Sequence, residues 1–289
     1  MANLNLRRPQ NISGDFYVDS SCIDCDTCRW MTPEVFNRSG EQSVVYHQPE
    51  NAAQRLRSLQ ALLACPTASI GTVEKPKDIK DAQLSFPIPV AENVYHCGYH
   101  AENSYGATSY LIVRPEGNVL IDSPRFAPPL VKRLEEMGGI DYLYLTHRDD
   151  VADHQKFHEH FKCDRILHQD EISSDTRNVE IQLTGREPYQ LAPDLLIIPV
   201  PGHTKGHTVL LYRNFLFTGD HLAWSNANQL AGFPGVCWYS WSELIKSTRQ
   251  LANYSFEWVL PGHGRRYHAD VETMHQKLLQ GITWMESIR

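Results

Sequence analysis

The chain contains no apolar run approaching the roughly 20 residues needed for a membrane-spanning helix, which argues against a membrane partner. It has no surplus of base: 27 Lys and Arg face 34 Asp and Glu, for a formal net charge of -7. Nucleic-acid binding through phosphate neutralisation needs the opposite balance, so no nucleic-acid partner is expected. Its first residues, "MANLNLRRPQ", lack the apolar core of a secretory signal. The expected location is therefore cytoplasmic, or the plastid stroma if a presequence has been removed. No internal repeat or low-complexity tract is present, which excludes solenoid and linker-like architectures. What remains, at 289 residues, is a globular chain with room for a large domain and a small one.

Cysteine is present in an odd number, seven, which does not fit a complete disulfide framework. Four of the seven have metal-ligand spacing. In "SSCIDCDTCRW", Cys22, Cys25 and Cys28 are each separated by two residues; Cys65 follows much later, directly before Pro66. Three thiolates on one tight loop, with a fourth brought in from a distance, is the ligation logic of a cubane cluster with one Cys per iron. A structural zinc site is the alternative, although zinc ribbons usually pair two Cys-x2-Cys units. About residues 12–73 resemble the single-cluster ferredoxins, including the helical run "PENAAQRLRSLQALLA" that leads into Cys65. The resemblance implies one 4Fe-4S cluster and a possible redox partner to serve it. Cys97, Cys163 and Cys237 are scattered and read as small packing residues.

The stretch "GTVEKPKDIKDAQLSFPIPVAEN" reads as a linker with a strand near Leu84–Phe86, placing a domain boundary near residue 78. The expected domains are residues 1–77 and 78–289. Beyond the boundary, short apolar strands alternate with helical patterns. "TSYLIV" and "GNVLID" read as a hairpin, and "DYLYL", "RILH", "LLIIPV", "HTVLLY", "FLFTGD" and "WVLPGH" as further strands. "PPLVKRLEEMGG", "SELIKSTRQLA" and "DVETMHQKLLQGITWMESI" read as helices, giving a layered α/β protein.

Aspartate and histidine collect at the strand ends: Asp122 in "LIDSPR", the stretch His147–His154 in "THRDDVADH", His203 in "PGHTKGH", Asp220 in "FTGD" and His263 in "LPGHG". Loops at strand ends converge on one sheet edge, where imidazoles and carboxylates can surround zinc, iron or manganese. In order and context these five motifs resemble the metallo-β-lactamase superfamily, across residues 83–289. The resemblance implies an αββα metallo-β-lactamase-like sandwich, preceded by a small α+β ferredoxin-like domain, with one or two metal ions of zinc or iron. It also implies that Asp122 orients ligands, that His203 and His263 bind different ions, and that Asp220 bridges them. His207 reads as a residue behind the ligands, and His221 as packing.

The second motif departs from the family pattern His-x-His-x-Asp-His. His147 matches its first histidine and Asp149 stands where the second belongs. Asp153 and His154 match the closing pair, two residues late. Asp153 is thus the candidate catalytic residue and a metal ligand together with His154; Asp149 is a candidate ligand, and Asp150 reads as exposed or as a helix cap. His96, His100, His158, His160, His168, His268 and His275 lie outside every motif. The aromatics Trp224, Phe233, Trp238, Tyr239 and Trp241 read as core or as the lining of a substrate entrance.

Two activities follow from the resemblance. One is hydrolysis of a small-molecule ester, thioester, amide or phosphoester by a dinuclear centre. The other is a diiron oxidoreductase fed by the cluster, since a carboxylate in place of histidine favours iron over zinc. A third reading keeps the fold for binding only.

Overall fold

The computed structural model describes residues 2–225 and 229–288. The chain divides into two compact units, Met1–Asp141 with Ala152–Lys162, and Tyr142–Val151 with Cys163–Arg289.

In the first unit, β1 (Phe16–Val18) carries the chain into the cysteine loop and α1 (Thr27–Met31). A hairpin follows, β2 (Phe36–Ser39) with β3 (Gln42–Val45), then α2 (Ala52–Ala64). The side chain of Asn51 caps α2 by accepting from Gln54 N–H, and the helix ends where Cys65 and Pro66 turn the chain. β4 (Ile70–Thr72) then pairs antiparallel with β1. Phe16, Val18, Val35, Phe36, Leu59 and Ile70 form the core between these elements.

The expected linker is structured. Its strand near Leu84–Phe86 is instead the end of a helix, α3 (Ile79–Leu84), and the strand comes later, as β5 (Ile88–Ala91). The helix forms because Ala82 is buried in the same apolar core as α2, and Arg55 of α2 pairs with Asp78 at its start. The boundary expected near residue 78 thus falls at the first turn of α3, inside this unit. β5, β6 (Val94–His96), β7 (Tyr110–Ile112) and β8 (Val119–Ile121) run antiparallel in sequence order. The unit also holds α4 (Pro128–Glu136), with proline in its first turn as read from the sequence, and α5 (His154–Phe161).

In the second unit, β9 (Tyr142–Tyr144), β10 (Asp164–His168) and β11 (Ile181–Leu183) are parallel neighbours. A six-stranded sheet has the order β12 (Tyr189–Ala192), β13 (Leu195–Pro199), β14 (Thr208–Tyr212), β15 (Phe215–Gly219), β18 (Trp258–Pro261) and β19 (Tyr267–His268). A short pair, β16 (Ala223–Trp224) with β17 (Leu230–Ala231), lies between β15 and β18 in sequence. One sheet face packs Ile198, Val209, Leu216 and Val259 against α6 (Trp241–Leu251) and α7 (Val271–Ser287), which contribute Leu244, Leu251, Met274, Leu278 and Ile282. β9 is tied to β14 where Tyr144 donates to Thr208 Oγ1 at 2.7 Å and Thr208 N–H donates to Thr146 O at 3.0 Å. That tie brings the loop after β9 to the loop before β14. Among the described residues, no helix is long and apolar enough to cross a membrane.

Candidate metal centre

Four strand-end loops of the second unit meet: those after β9, before β14, after β15 and after β18. They bring together two donor groups, His147 with His203 and Asp220, and Asp150 with Asp220 and His263. Asp220 belongs to both, which is the position of a bridging carboxylate.

Around the first position, His147 Nε2 is 3.7 Å from Asp149 Oδ2 and 3.8 Å from Asp220 Oδ2. His203 Nε2 is 3.5 Å from the same Asp149 oxygen and 3.8 Å from the same Asp220 oxygen. Tetrahedral N and O donors at zinc-like bond lengths lie about 3.3–3.4 Å from one another, so each histidine stands slightly outside ligand spacing from both carboxylates. Asp149 thus faces both histidines while lying outside the two donor groups. Among the described residues, neither His147 Nε2 nor His203 Nε2 has a hydrogen-bond partner, although both imidazoles are buried. The other ring nitrogen of His147, Nδ1, lies 2.9 Å from Thr146 Oγ1, which orients the ring.

Around the second position, Asp150 is buried, contrary to the exposed or capping role read from the sequence. The glycine of "LPGHG" makes room for it. A Cβ on Gly262 would lie 2.8 Å from Asp150 Oδ2 and 3.0 Å from Asp220 Oδ1. His263 Nδ1 is 2.7 Å and 2.9 Å from the two Asp220 oxygens.

The electrostatics suit a cation. Burial pushes His147 down to about 4, against the pull of Asp220, so its imidazole is neutral as a ligand must be. Burial opposes ionisation of Asp220, yet His263, His147 and His203 hold its carboxyl well below the usual range. The His203 imidazole 3.5 Å away lowers Asp149. Burial also keeps His207 well below its ordinary value and His221 at about 3, so both are neutral.

The remaining sequence candidates are placed as follows. His207 Nε2 accepts from Asp220 N–H at 3.2 Å, and its ring stacks 4.8 Å from His147, so it braces two donors without being one. Asp153 and His154 belong to the first unit and are in neither donor group of the second. Asp153 Oδ2 accepts from Phe126 N–H at 2.8 Å and Oδ1 pairs with Lys156 at 2.8 Å, while His154 opens α5. Asp122 is buried after β8 with a left-handed backbone, φ 54, and is likewise in neither group. Among the aromatics, Trp224 stacks on Tyr267, and Trp241 Nε1 donates to Met285 O. Trp238 and Tyr239 are exposed and both donate backbone N–H to His203 O. Part of that aromatic segment, 226–228, lies outside the described residues.

Glu171 was not foreseen. It is fully buried and accepts from Arg148 N–H, Arg148 Nε and Gly206 N–H, the last at 2.6 Å. It thereby ties the loop carrying His147 and Asp149 to the loop carrying His203 and His207. No motif marks it, because a lone glutamate after a strand carries no spacing signal.

The four motif cysteines of the first unit line one cavity with Thr27, Ser43, Thr67 and Ser69. Two backbone N–H groups already point at sulfur: Ser43 N–H at 3.4 Å from Cys22 Sγ, and Ser69 N–H at 3.3 Å from Cys65 Sγ. Burial pushes the Cys25 thiol up to about 11 and Cys28 well up, so cluster loading must displace thiol protons. N–H donors aimed at sulfur and four converging thiols fit an iron–sulfur cluster.

Residues 18–72 match the family model described as the 4Fe-4S single cluster domain of Ferredoxin I. The chain is 29% identical over 139 residues to the probable metallo-hydrolase MJ0888 of Methanocaldococcus jannaschii, covering 40% of this chain and 67% of that protein. It is 27% identical over 137 residues to YmaE of Bacillus subtilis, covering 45% of this chain and only half of that relative. Among solved structures, the DIM-1 metallo-β-lactamase exposed to ceftazidime superposes with a TM-score of 0.56 at 19% identity, over 70% of this chain and 96% of that one. FIM-1 from Pseudomonas aeruginosa, in its mono-zinc form, gives 0.54 at 16% identity, over 70% and 95%. At such identities the likeness establishes the fold and nothing finer. The chain has the metallo-β-lactamase fold, with a single-cluster ferredoxin-like segment on its N-terminal side.

Proposed function

We propose that this protein is a metal-dependent hydrolase with a dinuclear centre, acting on a small-molecule ester, thioester or phosphoester. The observation that carries this reading is that His147 Nε2 and His203 Nε2 each lie 3.5–3.8 Å from Asp149 Oδ2 and Asp220 Oδ2. His147, His203 and Asp149 would hold one ion, Asp150 and His263 the other, and Asp220 both. Bound there, such ions would polarise a substrate oxygen and acidify water. The chain supplies the rest. Asp149 is the most exposed of the six donors, at 46% of its side chain, and is held ionised by its contact with His203. It accepts a hydrogen bond from incoming water and orients it. Neutral His207 fixes the Asp220 backbone, and Trp238 covers the outer side of His203.

A second reading, a diiron oxidoreductase drawing electrons from the cluster, is favoured by the donor set itself: three carboxylates against three imidazoles. Carboxylate-rich sites lean away from zinc. In that case the cluster also needs an external redox partner.

Elemental analysis of anaerobically purified protein, with the cluster iron counted through acid-labile sulfide, separates the two. Two zinc ions beyond the cluster, and hydrolysis of a thioester or phosphodiester panel that chelation abolishes, would establish the hydrolase. Two extra irons and no turnover of any ester would replace it with the redox reading.

A further inference from the structure

The matched ferredoxin-like segment ends at residue 72, yet its cluster loop is completed by residues that come later in the chain. Tyr105 donates its hydroxyl to Ile23 O, inside the cysteine loop. Gly106 packs against the loop so closely that a Cβ there would lie 2.8 Å from Cys25 Cβ, 3.1 Å from Cys25 Sγ and 3.2 Å from Pro66 Cγ. Its φ of +86 excludes most other residues in any case. His100 N–H donates to Ala64 O, and Arg125 donates to Leu63 O and Cys65 O beside the fourth ligand.

One side chain of this later segment has a defined proton arrangement. His100 Nδ1 is 2.7 Å from Gly106 O. A carbonyl only accepts, so the proton sits on Nδ1. His100 Nε2, left with its lone pair, accepts from His96 Nε2–H at 2.8 Å, and both rings are buried. The same Nδ1–H faces Thr27 Oγ1 at 3.1 Å. The Thr27 hydroxyl, itself buried, has one other partner, Cys25 Sγ at 3.4 Å. With Cys25 a thiolate on a cluster, sulfur can only accept. Thr27 then takes the hydrogen bond from His100 and directs its own proton to Cys25.

We infer that Thr27, oriented by His100, is a built-in donor to the Cys25 ligand. The cluster site thereby extends past the ferredoxin-like segment into later residues of the same unit. Thr27 acts on the ligand sulfur directly; His100 is a positioning residue that acts through Thr27. Donors to cluster sulfurs stabilise the more negative, reduced state and raise the potential. The adjacent Ser43 and Ser69 N–H bonds come from backbone and survive any side-chain change.

The test is a potentiometric titration of the reconstituted full-length chain, read by the EPR signal of the reduced cluster. Thr27→Val, which keeps shape and loses the hydroxyl, should lower electron affinity about tenfold, or 59 mV for a one-electron couple. Thr27→Ser should retain the wild-type potential. His100→Leu should lower the potential as Thr27→Val does, His100→Asn should restore it, and the double variant T27V/H100L should fall no further than either single one. A wild-type potential in Thr27→Val with iron and sulfide intact overturns the inference. If Thr27→Val fails to load, His100→Leu decides: a wild-type potential there overturns it equally. So does a double variant whose drop is the sum of the two.

Discussion

Substituting Asp150 and Asp153 by asparagine separates the ligand read from sequence spacing from the one placed by the structure. Asp150 is buried, and one of its oxygens lies within 4.8 Å of an Asp220 oxygen and of a His263 nitrogen. Without metal, two bare carboxylates 4.8 Å apart or less repel by at least about 3.5 kcal/mol at an effective dielectric near 20, before the neighbouring imidazoles offset it. Asp150→Asn removes the repulsion, so the metal-free chain should melt higher than wild type. With metal, the same change deletes a donor. Outer partners of ligands are worth 10–100-fold in affinity, so a direct donor should cost about 100-fold or more, roughly 2.7 kcal/mol. Asp153→Asn reverses both signs. It weakens the acceptor for Phe126 N–H and breaks the pair with exposed Lys156, about 1–2 kcal/mol of folding stability, with no donor lost. Melting in chelator, together with metal content after equilibrium dialysis, reads out both effects. Asp150→Asn should retain one ion beyond the cluster and Asp153→Asn should retain two. Loss of an ion in Asp153→Asn with both retained in Asp150→Asn would refute the placement.

Asp149→Ala should lower affinity at the first position by about 100-fold, because Asp149 faces both His147 and His203; unchanged dialysis isotherms would remove Asp149 from the donor set. Glu171→Ala should destabilise the chain by about 2–4 kcal/mol, since it strips the acceptor from buried Gly206 N–H and from Arg148. It should also weaken the first ion 10–100-fold by loosening two ligand loops, and a stability loss with metal affinity intact would limit Glu171 to a structural part. For the metal-free chain, His147 titrates near 4 and His221 near 3 when folded, against about 6.5 unfolded. The unfolded chain therefore binds more protons between those values, and stability must fall as pH drops from 6.5 toward 4. His147 alone accounts for about 3 kcal/mol of that fall. Denaturant titrations in chelator at pH 7.5 and 5.0 check it, and equal midpoints would contradict the buried-neutral assignment.

The strands and most of the donors were legible because each donor follows an apolar run that can only be a buried strand, as in "FLFTGD" and "LPGH". The path of the second motif was not legible, for a physical reason. Matching a familiar closing pair assumes a fixed path between His147 and that pair. Here the chain leaves β9 as an irregular loop, with Ala152 at φ 26, before α5 begins. In such a loop, neighbours need not share a face. Asp149 faces the two histidines of the first position while Asp150, next in sequence, faces Asp220 and His263. Asp153 and His154 stand at the start of α5, with the Asp153 carboxylate taken by Phe126 N–H and Lys156 rather than by a helix cap. Glu171 and His100 were invisible for a different reason: each is fixed in part by a backbone group, Gly206 N–H and Gly106 O, and backbone has no letter in a sequence. Ligand types were therefore readable from the chain, but which of two adjacent aspartates serves which ion depends on loop geometry. The two extra residues lengthen the loop enough to turn one carboxylate toward His147 and His203 and the next toward Asp220 and His263.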